Sequence, residues 1–554
     1  MGPLLPVLAA VLVQGLAEAG LVGGSERPWL VLAACVLPYA LGAAARRAAL
    51  RGDFAAAGRR LLALDALPTV AHVLALSTCG WLTTVERLLG RPLLVGWPNA
   101  ASLAGFVPLV VYGLLAIDAR ARALDTRPGA AAAARRLNAR LFLGSLAPIV
   151  LYVVVAGALG RLPAVRAHVD HVGFDAALYA LALLLAFLVL MPFALRLSWN
   201  TRPLPRSALR ELFESVARRA RFRCREVLVW DTGHGMANAA IVGVVAPLRL
   251  VFLSDALLAN LTPRELLAVF AHEMGHARRH HVLVFVAWTA ALILGVDLAA
   301  SRVVPDGEAW AFATLGASLA LWYVGFGWLS RRFELDADLF AVDLTGDAQG
   351  MIAALEHVGG PHGGSRRSWR HFPTDRRVAF LAAHAHDPSV GRGLRRRVRA
   401  LAVTGGLACA VVIGLYGREL WSARPVELVA ARLALGDAPG AQRAAARVPD
   451  APPELARQVE LALELGLGDT ADGARVLEAA RRAAAEGRAT RAFDLLELGA
   501  LRDPERFAAC LQALFEALPA ELRDDPEGLG RAAEQGDARV LAALREALAA
   551  GGTP

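Results

Sequence analysis

Apolar stretches about as long as a membrane-spanning helix recur along the chain, separated by short segments rich in arginine. An α-helix needs roughly 20 mostly apolar residues to cross a bilayer. The first stretch has no basic residues ahead of its apolar core, so we expect no cleaved signal peptide. We predict nine membrane-spanning helices, at residues 4–21, 29–44, 61–82, 102–117, 141–159, 174–195, 282–300, 309–329 and 400–416.

The segment between the sixth and seventh predicted spans has the pattern of a water-soluble domain. An amphipathic helix is predicted at residues 204–221, and β-rich runs bounded by Gly and Pro follow at 226–230, 238–243 and 248–253. Thr262-Pro263-Arg264-Glu265 combines a capping box with a proline at the first helical position, so a further helix should begin there. We therefore predict a small sheet followed by a capped helix.

The composition, with 56% hydrophobic and 20% charged residues and a mean hydropathy of +0.45, indicates a multi-pass membrane protein whose partner is the lipid bilayer. The net charge of +9 comes from arginine, because the chain has no lysine. Arginine beside membrane helices usually orients them, and no nucleic-acid motif is present, so we expect no nucleic-acid partner. Five cysteines without CxxC spacing predict no disulfide framework.

Arginines are concentrated in the loops after the second and fourth predicted spans, whereas the alternate loops contain few. Because positively charged loops stay on the cytoplasmic side, one topology fits all of them. It places residues 196–281 and 330–399 in the cytoplasm and the chain beyond residue 416 outside. We expect this topology in a bacterial cell membrane.

The capped helix contains His272-Glu273-Met274-Gly275-His276, an HExxH pentapeptide. Residues four apart lie on one face of a helix, about 6 Å from each other, so the two histidines can converge on a single zinc ion. Glu273 would then hold the zinc-bound water and accept its proton as the general base of a peptidase. The pentapeptide also occurs by chance in soluble helices, so the neighbouring motifs must decide whether it is a metal site or two surface histidines beside a glutamate.

A catalytic zinc ion needs a third protein ligand and an open position for water. Glu334, just after the eighth predicted span, is the best candidate, and Asp338 one turn on can hydrogen-bond a ligating imidazole. Alone, this acidic cluster would be a solvated helix start. His280 lies roughly 12 Å along the helix from His272, too far to share the ion, so we assign His280 and His281 to an interfacial helix end.

Further polar groups follow at His371 and Arg377. A zinc peptidase needs a cation or hydrogen-bond donor to stabilise the oxyanion of the tetrahedral intermediate, and either residue could serve. The alternative is a loop histidine and a surface arginine. The metzincin pattern is excluded, because it needs a third His where the chain has Val282, and the gluzincin pattern remains.

Beyond residue 417 the sequence has helical periodicity that is interrupted by Gly and Pro, and it contains no further predicted membrane span. Paired helices of this kind resemble tetratricopeptide units, although a plain helical bundle fits equally well. We predict a separate domain here and expect it to bind a protein partner.

Four motifs in order resemble the integral-membrane zinc metallopeptidases of the gluzincin type, the family of CAAX prenyl protease 1 and the HtpX-type proteases. The likeness covers about residues 200–385. One departure is Phe372, which stands between His371 and Pro373 where the family usually has His-Pro, so the role of Arg377 is the safer of the two. The motifs are Asn238 to Gly243, His272 to His276, Glu334 to Asp338 with the following residues 341–346, and His371 to Arg377.

This resemblance implies endopeptidase activity and one catalytic Zn²⁺. The ligands would be His272, His276 and Glu334, with Glu273 as the catalytic base and Asp338 supporting a ligand. The strand that starts at Asn238 would be an edge that pairs with an extended protein or peptide substrate.

We therefore predict a mainly α-helical fold, with polytopic membrane helices and a cytoplasmic gluzincin peptidase domain that contains a small β-sheet. The C-terminal domain is expected to be α-helical, either tetratricopeptide-like or a plain bundle. The expected function is hydrolysis of membrane or membrane-proximal proteins at the cytoplasmic face. The alternatives are a signalling metalloprotease with an external sensor domain and a non-catalytic membrane scaffold. The expected domains are residues 1–195 with about six transmembrane helices, 196–399 with the peptidase and two more, 400–417 with the last span, and 418–554 with the extracytoplasmic helices.

Overall fold

Helices account for nearly all the regular structure, as the apolar and amphipathic patterns predict, and this confirms the mainly α-helical fold class. The computed structural model describes residues 4–20, 22, 27–94, 96–124, 130–303, 308–359, 369–448, 452–467, 473–523 and 525–550. The chain divides into unit 1, residues 1–157 and 183–414, and unit 2, residues 158–182 and 415–554. The predicted domain limits stay predictions.

The N-terminal part of the chain consists of helices that follow the apolar stretches. They are α1 (Leu4–Glu18), α2 (Trp29–Ala33), α3 (Leu37–Leu50), α4 (Phe54–Ser77), α5 (Trp81–Leu89), α6 (Ala100–Ala104), α7 (Val107–Ala123), α8 (Ala130–Ser145), α9 (Ala147–Leu159), α10 (Pro163–His171) and α11 (Gly173–Ser198).

Seven helical stretches among the described residues are long and apolar enough to cross a membrane, and they coincide with seven of the predicted spans. The first predicted span is not among them, and its helix α1 (Leu4–Glu18) starts beside residues 1–3, which lie outside the described residues, so this span stays a prediction. The eighth predicted span, at residues 309–329, begins close to residues 304–307, which lie outside the described residues. This span therefore stays a prediction. The seven are Trp29–Leu50, Phe54–Ser77, Ala100–Ala123, Ala131–Leu159, Gly173–Ser198, His281–Val303 and Pro388–Ala434.

A four-stranded sheet lies beside the helix that contains HExxH. Its strands are β1 (Thr201–Pro203), β2 (Glu226–Trp230), β3 (Ala239–Val242) and β4 (Leu250–Ser254), in the order β1-β2-β4-β3. Strands β2 and β4 are parallel and the other pairs antiparallel. Every residue of β4 is buried, which explains its continuous apolar run. Strand β3 is an edge of the sheet.

The remaining helices of unit 1 surround this sheet or continue towards the apolar spans. They are α12 (Ala208–Arg219), α13 (Asp255–Asn260), α14 (Pro263–Arg278), α15 (His281–Val303), α16 (Glu308–Thr345), α17 (Ala348–Gly359), α18 (Thr374–His386) and α19 (Pro388–Ala434), which extends into unit 2.

Helix α14 begins where the sequence predicts. The Thr262 hydroxyl accepts the Glu265 N–H and the Glu265 carboxylate accepts the Thr262 N–H, so the capping box is formed. His357 on α17 lies 2.7 Å from the same carboxylate through its Nδ1. On the opposite side of the helix, Phe270 stacks on Phe213 of α12, with ring centroids 4.4 Å apart. The helix is thus held at its start and along its length.

The chain turns sharply between α14 and α15. His280 has a φ of +56°, in the left-handed region that a residue with a Cβ adopts at a cost of roughly 1–2 kcal/mol. The N–H of Arg279 bonds the carbonyl of Gly275, and the carbonyl of His280 already accepts the N–H of Val284 in the next helix. The two helices are therefore separated by a tight turn.

Helices α14 and α16 approach each other very closely at Gly275. A Cβ at this position would lie 3.0 Å from the Cα of Ala337 and 3.2 Å from its carbonyl oxygen. Ordinary contacts between carbon atoms are about 3.5–4.0 Å, so only glycine allows this spacing. Gly275 is one of the variable positions of HExxH, and here it brings the two helices that contain the candidate ligands together.

Unit 2 is a helical unit with a core of alanine and leucine. Buried Asp494 accepts a hydrogen bond of 2.9 Å from Nε of Arg457. The tetratricopeptide-like arrangement stays a prediction. After the end of α19, the helices of this unit are α20 (Ala438–Ala445), α21 (Pro453–Glu464), α22 (Gly473–Ala485), α23 (Ala489–Arg502), α24 (Pro504–Ala517), α25 (Ala520–Arg523), α26 (Pro526–Glu534) and α27 (Ala538–Ala550).

Replacing Gly275 by Val should force α14 and α16 apart and lower the free energy of unfolding by about 1–3 kcal/mol, as overpacking does. Gly325→Val is the matched control, because a Cβ at Gly325, also on α16, meets nothing within 4 Å. Thermal unfolding of both purified variants in detergent, followed by circular dichroism, checks this expectation. Equal midpoints would show that the close contact does not limit packing.

Candidate metal centre

The structure brings His272 and His276 of α14 together with Glu334 of α16. The two Nε2 atoms are 3.3 Å apart. Oε2 of Glu334 lies 3.7 Å from Nε2 of His272, and its Oε1 lies 3.6 Å from Nε2 of His276. Ligand atoms about 2.0–2.2 Å from a tetrahedral zinc ion lie roughly 3.3–3.6 Å from one another. The donor set and its spacing therefore fit a zinc ion.

Burial and charge set the protonation of these groups. Burial lowers the pKa of His276 to about 3, which keeps the imidazole neutral and its lone pair available at neutral pH. Burial would raise the pKa of the Glu334 carboxyl, but the contact with His371 and the neighbouring charges hold this pKa well below its usual value. Burial would lower the pKa of His272, yet Asp338 raises it overall.

Asp338 links the candidate ligand His272 to an arginine. Its Oδ1 lies 2.8 Å from Nδ1 of His272, on the far side of the ring from Nε2. Arg377 of α18 donates to both carboxylate oxygens of Asp338, from Nε at 2.8 Å and from Nη2 at 2.6 Å. Nη1 of Arg377 is also 3.5 Å from Glu334. Arg377 is thus engaged with the two carboxylates.

Glu273 faces the cavity beside β3. The backbone N–H of Ile241 on β3 is hydrogen-bonded to its carboxylate, and burial raises the pKa of the carboxyl. Asn238, exposed just before the strand, donates its own N–H to Oγ of Ser254 at 2.9 Å, which fixes the start of β3. The sequence-predicted base and the predicted edge strand are therefore neighbours.

His371 lies in the segment between α17 and α18, with a side chain that is 45% exposed and an Nδ1 3.2 Å from Oε2 of Glu334. The segment is anchored by Trp369, whose ring stacks on Tyr323 with centroids 4.3 Å apart. A Cβ at Gly327 would lie 2.3 Å from the Trp369 indole nitrogen, so glycine makes room for the ring. Sequence reasoning missed this anchor, because Gly327 and Trp369 are far apart in the chain.

A cavity of about 1020 Å³ contains the site. His272, Glu273, His276 and Glu334 line it together with His371, Arg377 and Asn238. Apolar side chains of α15 and α16, among them Phe285 and Phe326, line it as well. The cavity therefore has a polar part at the candidate ligands and an apolar part formed by helices that continue into the apolar spans.

His281 lies at a helix end, the start of α15, but its side chain is buried. His281 is 1% exposed, its Nδ1 lies 3.0 Å from Nδ1 of His276, and its Nε2 lies 3.3 Å from Asp336. The left-handed turn at His280 directs the next residue back to α14, and a helical-spacing argument assumes that no such turn exists. Within the described residues, the His/Cys/Asp/Glu group that can hold a metal contains neither His280 nor His281.

Comparison with known proteins gives a match to a family profile, and this match contains the candidate metal centre. The sequence profile of peptidase family M48 matches residues 203–392. A protease HtpX homolog from Janthinobacterium sp. (strain Marseille) is 30% identical over 161 residues, 26% of this chain and 54% of that protein. Another, from Verminephrobacter eiseniae (strain EF01-2), is 30% identical over 168 residues, 27% of this chain and 56% of that protein. The chain thus spans about half the length of the curated relatives it matches.

Among solved structures, the crystal structure of S. mikatae Ste24p aligns with a TM-score of 0.41 and 15% sequence identity, covering 67% of this chain and 98% of that one. The profile match includes the capped HExxH helix, Glu334 and the segment up to α18. Residues 203–392 are similar to peptidase family M48, and the predicted resemblance to integral-membrane zinc metallopeptidases is confirmed.

Proposed function

We propose that this protein is a membrane-embedded zinc endopeptidase that hydrolyses peptide bonds of membrane or membrane-proximal proteins at the cytoplasmic face. The observation that carries the proposal is the spacing of the donor atoms of His272, His276 and Glu334, which suits a tetrahedral zinc ion with one open position. The match of residues 203–392 to a peptidase family supports the same reaction.

Each residue around the ligands has a chemical role in this proposal. Bound zinc would supply a Lewis acid that polarises the scissile carbonyl and lowers the pKa of a water molecule. Glu273 would accept the proton of the attacking water and deliver it to the leaving amine. Asp338, held by Arg377, would orient His272 through its Nδ1–H.

The proposed substrate site is the free edge of β3. An extended peptide can pair with an edge strand through its main chain, which requires no particular side chains. The hydrogen bond from Ile241 to Glu273 places the proposed base directly beside that edge. A peptide bound along β3 would therefore pass across Glu273 and the candidate ligands, as an endopeptidase requires.

His371 is the proposed donor to the oxyanion. Its side chain is 45% exposed and lines the cavity, whereas Arg377 is 11% exposed and already donates to Asp338. A donor must be directed at the position where negative charge develops, so the less engaged group is the better candidate. Arg377 then acts mainly through Asp338 and Glu334.

Two features support a membrane-proximal substrate on the cytoplasmic side. The apolar part of the cavity is lined by α15 and α16, and α15 is one of the seven helices able to cross a membrane. The distribution of arginine among the loops favours a site on the inner side of the membrane by the positive-inside rule. The extracytoplasmic location of the C-terminal domain, and a protein partner for it, stay predictions.

The alternatives make different predictions. A signalling metalloprotease with an external sensor would share this chemistry and differ in what the C-terminal domain binds. A non-catalytic scaffold would not need the donor spacing at all, so a purified wild-type protein that binds no zinc would favour it.

Glu273→Gln should abolish cleavage of a model membrane-protein substrate and leave zinc binding intact, because the amide cannot accept the proton while the ligands are unchanged. Glu356→Gln, at an exposed glutamate of α17, is the control and should cleave as the wild type does. Cleavage in proteoliposomes and metal content by mass spectrometry are measured on the same samples. Undiminished cleavage by Glu273→Gln would refute the mechanism.

His371→Phe should lower kcat by about 10²–10³-fold, the usual cost of losing one oxyanion donor, with zinc content unchanged. His386→Phe serves as the control, since His386 is an exposed histidine at the end of α18. Steady-state kinetics with a fluorogenic peptide give kcat and KM separately. If instead zinc content falls together with kcat, His371 acts by orienting Glu334, and the oxyanion role is wrong.

A further inference from the structure

The buried residue His281 contacts the candidate ligand His276 on the side that faces away from the other ligands. Its Nδ1 lies 3.0 Å from Nδ1 of His276 and its Nε2 lies 3.3 Å from Oδ2 of Asp336. Its ring also stacks flat on Phe333, with centroids 4.2 Å apart and an interplanar angle of 5°. The ring is therefore held in one plane between a histidine and a carboxylate.

The hydrogen-bonding partners determine where the protons lie. Nε2 of His276 faces Glu334 and His272 and must have a free lone pair to bind a metal ion, so its proton is on Nδ1. This Nδ1–H donates to Nδ1 of His281, which therefore has its own proton on Nε2. That proton is donated to Asp336. With both imidazoles neutral, this assignment satisfies both contacts.

Asp336 is suited to the end of this chain of hydrogen bonds. It is 2% exposed, and Nε of Arg279 lies 3.6 Å from the same Oδ2. A carboxylate oxygen is a strong hydrogen-bond acceptor, and here it faces Nε2 of His281. Asp336 thus favours the Nε2–H form of His281, which in turn is an acceptor towards His276.

The turn at His280 makes the contact possible. In an uninterrupted helix, residues five apart are rotated by about 140° around the axis, so His276 and His281 would lie on different faces. The left-handed conformation of His280 ends α14 and starts α15 with His281 directed back towards His276.

We propose that His281 and Asp336 are positioning residues that hold His276 in the Nδ1–H tautomer and orientation needed for metal binding through Nε2. The inference rests on the metal centre of the proposed function. At His272, Asp338 contacts the corresponding Nδ1 atom. Each ligating imidazole is therefore supported by a buried carboxylate, His272 directly by Asp338 and His276 through His281 by Asp336.

The test measures zinc affinity of the full-length protein in detergent by competition with a chromophoric chelator. His281→Phe retains the stacking on Phe333 but removes the acceptor, and should weaken zinc binding by about 10–100-fold, the usual cost of losing such a support. His281→Asn loses the stacking but places an amide oxygen near the position of Nδ1, and should bind zinc more tightly than His281→Phe. A purely structural role predicts the opposite order, because phenylalanine packs better than asparagine.

Asp336→Asn tests the contact between Asp336 and Nε2 of His281. It should weaken zinc binding in the wild-type background but add no further loss to His281→Phe, because the route from Asp336 to His276 is already broken. His386→Phe and His386→Asn are the matched controls and should bind zinc as the wild type does, since His386 is exposed and distant in the sequence.

The proposal is overturned if His281→Phe binds zinc like the wild type, if it binds more tightly than His281→Asn, or if the losses of His281→Phe and Asp336→Asn simply add. The circular dichroism melting curve of each variant identifies any variant that fails to fold. The order of zinc affinity among the remaining variants then still tests the proposal. A wild-type protein that binds no zinc would overturn the proposed function together with this inference, whereas equal binding by all variants would overturn the inference alone.

Discussion

The spacing between α14 and α16 is the constraint on which the candidate metal centre depends. Two of its donors come from one helix and the third from the other, so the distance between the helix axes sets the distance between the ligands. At Gly275 the backbones are as close as van der Waals contact allows. The capping box at Thr262 and the packing of Phe270 on Phe213 hold α14 at that distance.

The same close approach concentrates negative charge. Glu273, Glu334 and Asp338 lie close together, Glu334 and Asp338 are buried, and burying carboxylates without compensation is costly. Arg377 and the neighbouring imidazoles compensate part of this charge, and a divalent cation at the three donors would compensate more. The pocket is therefore electrostatically suited to a metal ion, which is consistent with the chemistry of the donor set.

Local chemistry explains which parts of the structure can be predicted from the sequence. The capping box, the HExxH spacing and the short apolar runs of β2, β3 and β4 are signals contained within a few neighbouring residues. Strand β1 was missed, because three residues that include a proline have no periodicity to detect. The contact between His281 and His276 could not be predicted, because it depends on the φ angle of His280, a non-glycine residue with no turn signature.

Long-range contacts explain the remainder. The ring of Trp369 packs where Gly327 leaves space, but nothing near either residue indicates the other. Glu334 could be chosen from the sequence among its neighbouring carboxylates only because the HExxH motif demanded a partner.

The turn at His280 also fixes how near the site is to the lipid. Helix α15, which is long and apolar enough to cross a membrane, begins at His281, and the ring of His281 lies 3.0 Å from the candidate ligand His276. For the proposed activity, a substrate would meet the site while diffusing in the plane of the bilayer. Its rate of capture would then scale with the number of substrate molecules per unit area of membrane, and diluting the surrounding solution would change it little.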